Sequence, residues 1–308
     1  MTPKLIFSVV FVCFTQILFA QSKDDEASKF FKSGNAKVAL KDFSNAIVDY
    51  TKAIELTPNA DGAYYNRGTA KVAIKDYLGA IADCTKALEL KPNFAGAYYN
   101  RGKAKNNLKD YSGAIEDYTK AIEINPNYAD AYSNRGNAKN NLKDYSGAIA
   151  DCTKAIELNP STTVAYSNRG IAKNALKDYS GAVADYTKAI ELNPNIAVSY
   201  KNRGNIKYAL KDYSGALADY TKAIELNPNI ASAYNNRGNA KDGLKDYSGA
   251  VADYAKAIEL NPNDANAYSN RGNAKYTLGD KVGGCVDLQK ACELGSKVAC
   301  DILKNACK

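Results

Sequence analysis

Along the chain, apolar and small residues recur on a helical rhythm that restarts every 34 residues. Seven prolines from Pro58 to Pro262 keep that spacing, and eight glycines from Gly34 to Gly272 keep it too. With each copy numbered so that its proline is position 32, apolar or small residues fall at positions 3, 4, 8, 10 and 14, then at 17, 20, 21, 24, 27, 28 and 30. Both runs follow the 3.6-residue period, so each copy predicts two amphipathic helices. Asp at position 16 should cap the second helix, Pro at 32 should end it, and Asn at 33 should cap the next first helix. The link is too short for anything but an antiparallel hairpin. Within it Tyr at position 4 should face Ala at 27, and Gly at 8 should face positions 23 and 24, so that large meets small.

An aromatic residue four before a glycine, an alanine four before a second aromatic, then alanine and proline: this order over 34 residues resembles the tetratricopeptide repeat. The resemblance implies an all-α fold, an α-solenoid (right-handed superhelix) of eight 34-residue helix-turn-helix repeats filling 27–296, with a C-terminal capping helix over 297–308. The chain departs from the family pattern with Tyr for Trp at position 4, Arg for Leu at position 7 and Lys for Tyr at position 11. The arginines therefore need partners inside the hairpin. Arg135 should sit opposite Asp151 and Cys152, and Arg169 opposite Asp185 and Tyr186, giving an ion pair or a cation–aromatic stack.

Composition removes most catalytic readings. With no histidine among 308 residues there is no Ser-His-Asp or Cys-His centre, no histidine-ligated zinc and no histidine switch. The acids recur identically in every copy beside lysines, which argues against a unique active site, and 279–284 lacks the spacing and strand context of a phosphate loop. No enzyme, cofactor or metal is implied. The net charge of +8 arises about one unit per copy with acids interleaved, so no segregated basic stripe invites nucleic acid.

The ends differ from the repeats. Met1 to Ala20 reads as a signal peptide, with Lys4, an apolar run and Leu18-Phe19-Ala20 before Gln21; an uncleaved anchor is the alternative. A polar linker is expected over 21–26. Cys84 and Cys152 take the aromatic position 24 and read as buried thiols. Cys285, Cys292, Cys300 and Cys307 are spaced by sevens about a turn at Ser296, which predicts nested disulfides Cys285–Cys307 and Cys292–Cys300. A four-cysteine metal site fits less well, because such sites usually use C-x-x-C. Export to a periplasmic or secreted location follows, without a membrane span in the mature form.

In the family, first helices line the concave face at positions 2, 5, 6, 9, 12 and 13. Here that places Asn134, Asn168, Asn202, Asn236 and Asn270 at position 6, and Asn137, Asn205 and Asn239 at position 9. Asparagine is only a moderate helix former, so its recurrence asks for a reason. Its amide can both donate to and accept from an extended peptide backbone. Lys201, Asn205 and Asn236 match part of the family's clamp for a terminal carboxylate, but Asn266 and Asn270 stand where further cations belong. The expected function is a non-catalytic scaffold or adaptor binding an internal extended peptide of an exported protein, with Lys201 and Tyr208 giving local preference. A structural envelope spacer without a ligand is the alternative, and a polyanion binder a lesser one. Oligomeric state stays open.

Overall fold

The computed structural model describes residues 23–307, so the expected leader at 1–20 lies outside them. The first described helix, α1, covers 23–39. Part of the expected linker is thus helical, and Asp24, Asp25 and Glu26 in that first turn suit the positive end of a helix. The remaining first helices are α3 (Asp61–Ala73), α5 (Ala95–Asn107), α7 (Ala129–Asn141), α9 (Thr163–Ala175), α11 (Ala197–Ala209), α13 (Ala231–Gly243) and α15 (Ala265–Thr277). The second helices are α2 (Phe43–Leu56), α4 (Tyr77–Leu90), α6 (Tyr111–Ile124), α8 (Tyr145–Leu158), α10 (Tyr179–Leu192), α12 (Tyr213–Leu226), α14 (Tyr247–Leu260) and α16 (Lys281–Glu293), followed by α17 (Lys297–Ala306). No strand occurs among the described residues.

Two compact units meet at Pro160 and Ser161, and each is an α-solenoid by itself. In both, a first helix packs on its own second helix, and that second helix packs on the next first helix. First helices of successive copies also touch, α3 with α5 and α5 with α7 in one unit, α11 with α13 and α13 with α15 in the other. In each unit they form one rank, the one that the family resemblance puts on the inner, concave side.

Caps set the helix lengths. The position-16 aspartate accepts the backbone N–H three residues on, as when Asp144 caps Gly147. Asn at position 33 does not cap the first helix, contrary to expectation. The helix starts later, and the asparagine at position 31 instead accepts the position-33 N–H, as Asn193 does from Asn195. Between the helices the chain turns through a left-handed residue, Lys41, Lys75, Lys109, Lys143, Lys177, Lys211 or Lys245, at φ between 60° and 67°. A side chain there costs about 1 kcal/mol, which Gly279 avoids in copy eight. Just before it, the position-14 residue was expected in the core. The structure leaves it at the hairpin tip, 43% exposed at Leu108 and 80% at Leu40, because it follows the last helical turn, as the C-cap position of Leu108 shows.

Polar contacts lock each hairpin. Arg135 Nε and Nη2 donate to both oxygens of Asp151 at 2.9 and 2.7 Å, Lys139 pairs with the same carboxylate at 2.8 Å, and Nη1 reaches back 3.0 Å to Thr119 of the preceding copy. The guanidinium also lies 5.5 Å from the Tyr132 ring centroid, so the expected ion pair and aromatic stack coexist, the stack being with position 4. Arg169 likewise pairs with Asp185 and faces the Tyr166 ring. Around this clasp the core is alanine-rich, with Ala87, Ala97, Ala121 and Ala131 fully buried. Fully buried Tyr118 fills the space over Gly102, where an added Cβ would come within 2.9 Å of its ring.

At the C-terminal end α17 packs on α16, and Cys285 is joined to Cys307 and Cys292 to Cys300, with Cα separations of 5.7 and 4.8 Å. Such links close the last apolar face of a stack, worth roughly 2 to 3 kcal/mol each by loop closure. Cys84 and Cys152 are buried thiols outside the two disulfides, and burial, ahead of the nearby Asp83 charge, pushes the Cys84 thiol up to about 12.

The clasp sets an acid limit. Burial raises the Asp287 carboxyl, but hydrogen bonds from Arg271 and Lys275 outweigh it and hold the group below its ordinary value. For Asp49, Lys37 and Ser33 do the same against burial. A carboxyl depressed on folding contributes stability above its unfolded value and loses it as pH falls through the folded one. With no histidine to titrate, Tm should be flat between about pH 8 and 5 and fall below about pH 4. A Tm that already declines between pH 7 and 5 would contradict this.

Candidate functional site

The first-helix rank holds the asparagines, and several of their amides are already hydrogen-bonded, to one another or to tyrosine hydroxyls. Asn236 Nδ2 donates to Asn205 Oδ1 at 2.9 Å, and that same oxygen accepts the Tyr220 hydroxyl at 2.9 Å. One copy on, Asn270 Nδ2 donates to Asn239 Oδ1 at 3.0 Å, which also accepts from Tyr254 at 2.8 Å. Asn66 and Asn35 repeat the arrangement with Tyr50 in copy one. Position 6 of one first helix thus lies level with position 9 of the helix before it, and the two amides zip adjacent copies together. The helix-propensity cost of asparagine is offset by these bonds.

The other expected residues vary the theme. Asn134 donates to the Tyr99 hydroxyl at 2.9 Å, Asn202 to the Tyr186 hydroxyl at 3.4 Å, and Asn168 is only 5% exposed. Asn137 accepts from Asn106 at 3.4 Å. Asn134 and Asn137 belong to the first unit; Asn168, Asn202, Asn205, Asn236, Asn239, Asn270, Lys201 and Tyr208 belong to the second. Asn205 Oδ1 is taken by Tyr220 and Asn236, which leaves its Nδ2 as the donor, so the missing cations remain the reason against a terminal-carboxylate site. Tyr208 is exposed and stacks 5.4 Å from Tyr213, while Lys201 is half-buried on the inner rank.

Two features escaped the sequence reading. Position 5 reads Phe31, Tyr65 and Tyr99 in the first copies, then Ser133, Ser167, Lys201, Asn235 and Ser269. In the first unit those rings pair with the loop aromatics before the next helix, Tyr65 with Phe94 at 4.5 Å and Tyr99 with Tyr128 at 4.9 Å. Burial foremost pushes the Tyr99 phenol up to about 12. The second feature is Lys103, exposed at position 9 where five copies carry asparagine. Comparing columns instead of single copies would have found both.

The arrangement offers surface, hydrogen bonds and a few cations. The position-23 carboxylates of copies two to eight are neutralised by arginine and lysine, as in Arg203–Asp219–Lys207. Among the described residues no group of three or more His, Cys, Asp or Glu side chains could hold a metal ion. No described helix is long and apolar enough to cross a membrane.

If the asparagines are zips, their loss is read in stability. Asn236→Ala and Asn270→Ala should each lower unfolding free energy by about 1 kcal/mol in urea titrations, with helical circular dichroism retained. Unchanged stability would release these amides for contact with a ligand or solvent.

Tetratricopeptide repeat family profiles match residues 61–94, 95–128, 129–162, 163–196 and 197–230, and a TPR repeat profile matches 34–74 and 244–279. No curated protein sequence matches the chain. Among solved structures, the APC/C hetero-tetramer Cut9–Hcn1 is 18% identical with a TM-score of 0.65, over 86% of this chain and 53% of that one. The chain therefore spans about half the length of that match. YrrB, described as a TPR protein with an unusual peptide-binding site, is 26% identical with a TM-score of 0.55, over 62% of this chain and 99% of that one. Pseudomonas aeruginosa pilF is 20% identical with a TM-score of 0.62, over 72% and 98%. The Cut9–Hcn1 and pilF likenesses bear on fold alone. By its repeats and its fold, this chain belongs to the tetratricopeptide repeat family.

Proposed function

We propose that the chain is a non-catalytic adaptor of an exported compartment that binds an extended segment of a partner protein along its first helices. Tetratricopeptide repeat proteins are protein-interaction scaffolds, and the reading here adds the mode of binding. One observation carries it: copies that agree in their buried columns diverge on the inner rank. Position 12, for example, runs Val38, Val72, Asn106, Asn140, Asn174, Tyr208, Asp242 and Tyr276. A ligand that does not repeat calls for such divergence, whereas a spacer has no use for it. YrrB, whose description names a peptide-binding site, supports the same mode.

Contacts would come from position 5, position 12 and the inner lysines, with the zipped asparagines holding the helices in register beneath them. Export is supported by the apolar pattern of 1–20 and by the two cysteine pairs near the C-terminus. The asparagine zip also favours a second reading, a stiff spacer without a peptide ligand.

Photo-crosslinking groups at Tyr65 and Tyr208, compared with outer positions Glu89 and Glu225, separate the two. The expected result is capture of one linear segment of one exported partner from the inner positions only, in protein whose chain starts at Gln21 and whose non-reduced peptides map as Cys285–Cys307 and Cys292–Cys300. Equal capture from inner and outer positions, or none from the inner ones, would contradict the adaptor reading.

A further inference from the structure

Between α3 and α5 the first unit opens a cleft of about 480 Å³, a volume within the range of ligand pockets. Its apolar walls are Phe43, Val72, Ala73 and Tyr77, and Lys75 and Lys103 also line it; no acidic side chain does. We infer that this cleft is a binding site for a carboxylate next to an apolar group, an Asp or Glu beside a hydrophobic residue in the bound segment. The inference rests on the peptide-binding reading and names what one stretch of that peptide carries.

The cleft exists because of two departures from the repeat. In the next copy junction Asn106 spans from position 12 to Asn137 at position 9 with a 3.4 Å hydrogen bond and closes the gap. At the α3–α5 junction position 12 is Val72 and position 9 is Lys103, so no such bridge forms and an apolar-walled opening remains. The floor is already satisfied, since Asn100 donates to Thr69 at 2.7 Å and Thr69 donates to the Tyr65 carbonyl.

Lys103 is kept against the interest of stability. In copies one, six and seven the position-9 asparagine accepts the hydroxyl of the buried position-24 tyrosine. Lys103 offers no such acceptor, and the fully buried Tyr118 hydroxyl has no partner among the described residues. The Asn134 amide, which would otherwise meet position 9, turns to Tyr99. A local rule broken without structural gain marks a functional position. The charges are also unspent: position-11 lysines pair with buried aspartates and most position-26 lysines with glutamates, as Lys105 does with Asp117 and Lys120 with Glu123, whereas Lys75 and Lys103 make no ion pair among the described residues. The nearby caps Asp42 and Asp76 accept backbone N–H groups at their own helix starts. Two cations over apolar walls favour a carboxylate whose neighbour can be buried.

The chain supplies its own test variants. Lys103→Asn installs the residue found in five other copies, and Lys75→Gly the residue that copy eight uses at that turn. Protein with labelled valine methyls is titrated with acetyl-Leu-Glu-Leu-amide and acetyl-Leu-Gln-Leu-amide and followed by NMR. The Glu peptide should shift Val72 and bind about tenfold more tightly than the Gln peptide. In the double variant that preference should vanish, in low salt as in high, while Tm rises because Tyr118 regains an acceptor and the turn loses its strained side chain. The Lys245→Gly control, at a turn in the other unit, should keep the preference. Equal affinities with shifts elsewhere on the first helices would overturn the site and leave the peptide-binding reading standing. No shift with either peptide would overturn both.

Discussion

Each hairpin is built around one buried carboxylate. Asp83, Asp117, Asp151, Asp185, Asp219, Asp253 and Asp287 are each at most 5% exposed, and a charge so placed is tolerable only when its oxygens are fully engaged. Arginine supplies the fork that meets both oxygens, and the position-11 lysine adds the second positive charge. This explains the departures from the family pattern as a set. Arg at position 7 and Lys at position 11 replace residues that would pack, and both replacements converge on Asp at position 23. In copies two, three, four and six the guanidinium also reaches a threonine of the copy before, so the same side chain closes its own hairpin and fastens it to its neighbour. Copy one, with Ser33 in place of arginine, holds Asp49 with Lys37 and the Ser33 hydroxyl.

Over this constant frame the inner rank is free to differ. Alanines, position-8 glycines and the clasp hold helix spacing, so a change at position 5, 9 or 12 alters the surface without moving the helices. The asparagine zip belongs to the frame, and the places where it lapses are the informative ones. Val72 and Lys103 leave a cleft and an unpaired Tyr118 hydroxyl; Phe31, Tyr65 and Tyr99 make position 5 aromatic in copies one to three, where copies four to eight are polar.

The fold was legible because the repeat writes its period eight times, and period, the position-16 cap and the large-to-small matching of Tyr118 with Gly102 follow from helix geometry. The Arg–Asp pairs were legible for the same reason, since facing positions in a short hairpin are set by arithmetic. Position 14 was misread because hydrophobicity does not distinguish a core leucine from one left exposed at a hairpin tip, as Leu40 and Leu108 are. The hydrogen bonds of the asparagines were not legible, for a different reason. Their partners are 31 residues away, in the next copy, and a pattern seen one copy at a time shows a polar face where the stacked structure has a seam. Lys103 was invisible as a site because its meaning lies in the bond that its neighbours make and it does not.

Double-mutant cycles in the second unit test the role of the clasp most directly. Stability is measured for Arg203→Ala, Asp219→Ala and Thr187→Ala and for the two pairs that include Arg203. The account predicts coupling of about 2 kcal/mol between Arg203 and Asp219, and a smaller coupling, about 0.5 to 1 kcal/mol, between Arg203 and Thr187 across the copy boundary. Additivity of the Arg203 and Asp219 changes within about 0.5 kcal/mol would show that the hairpins are held by packing alone and contradict the account.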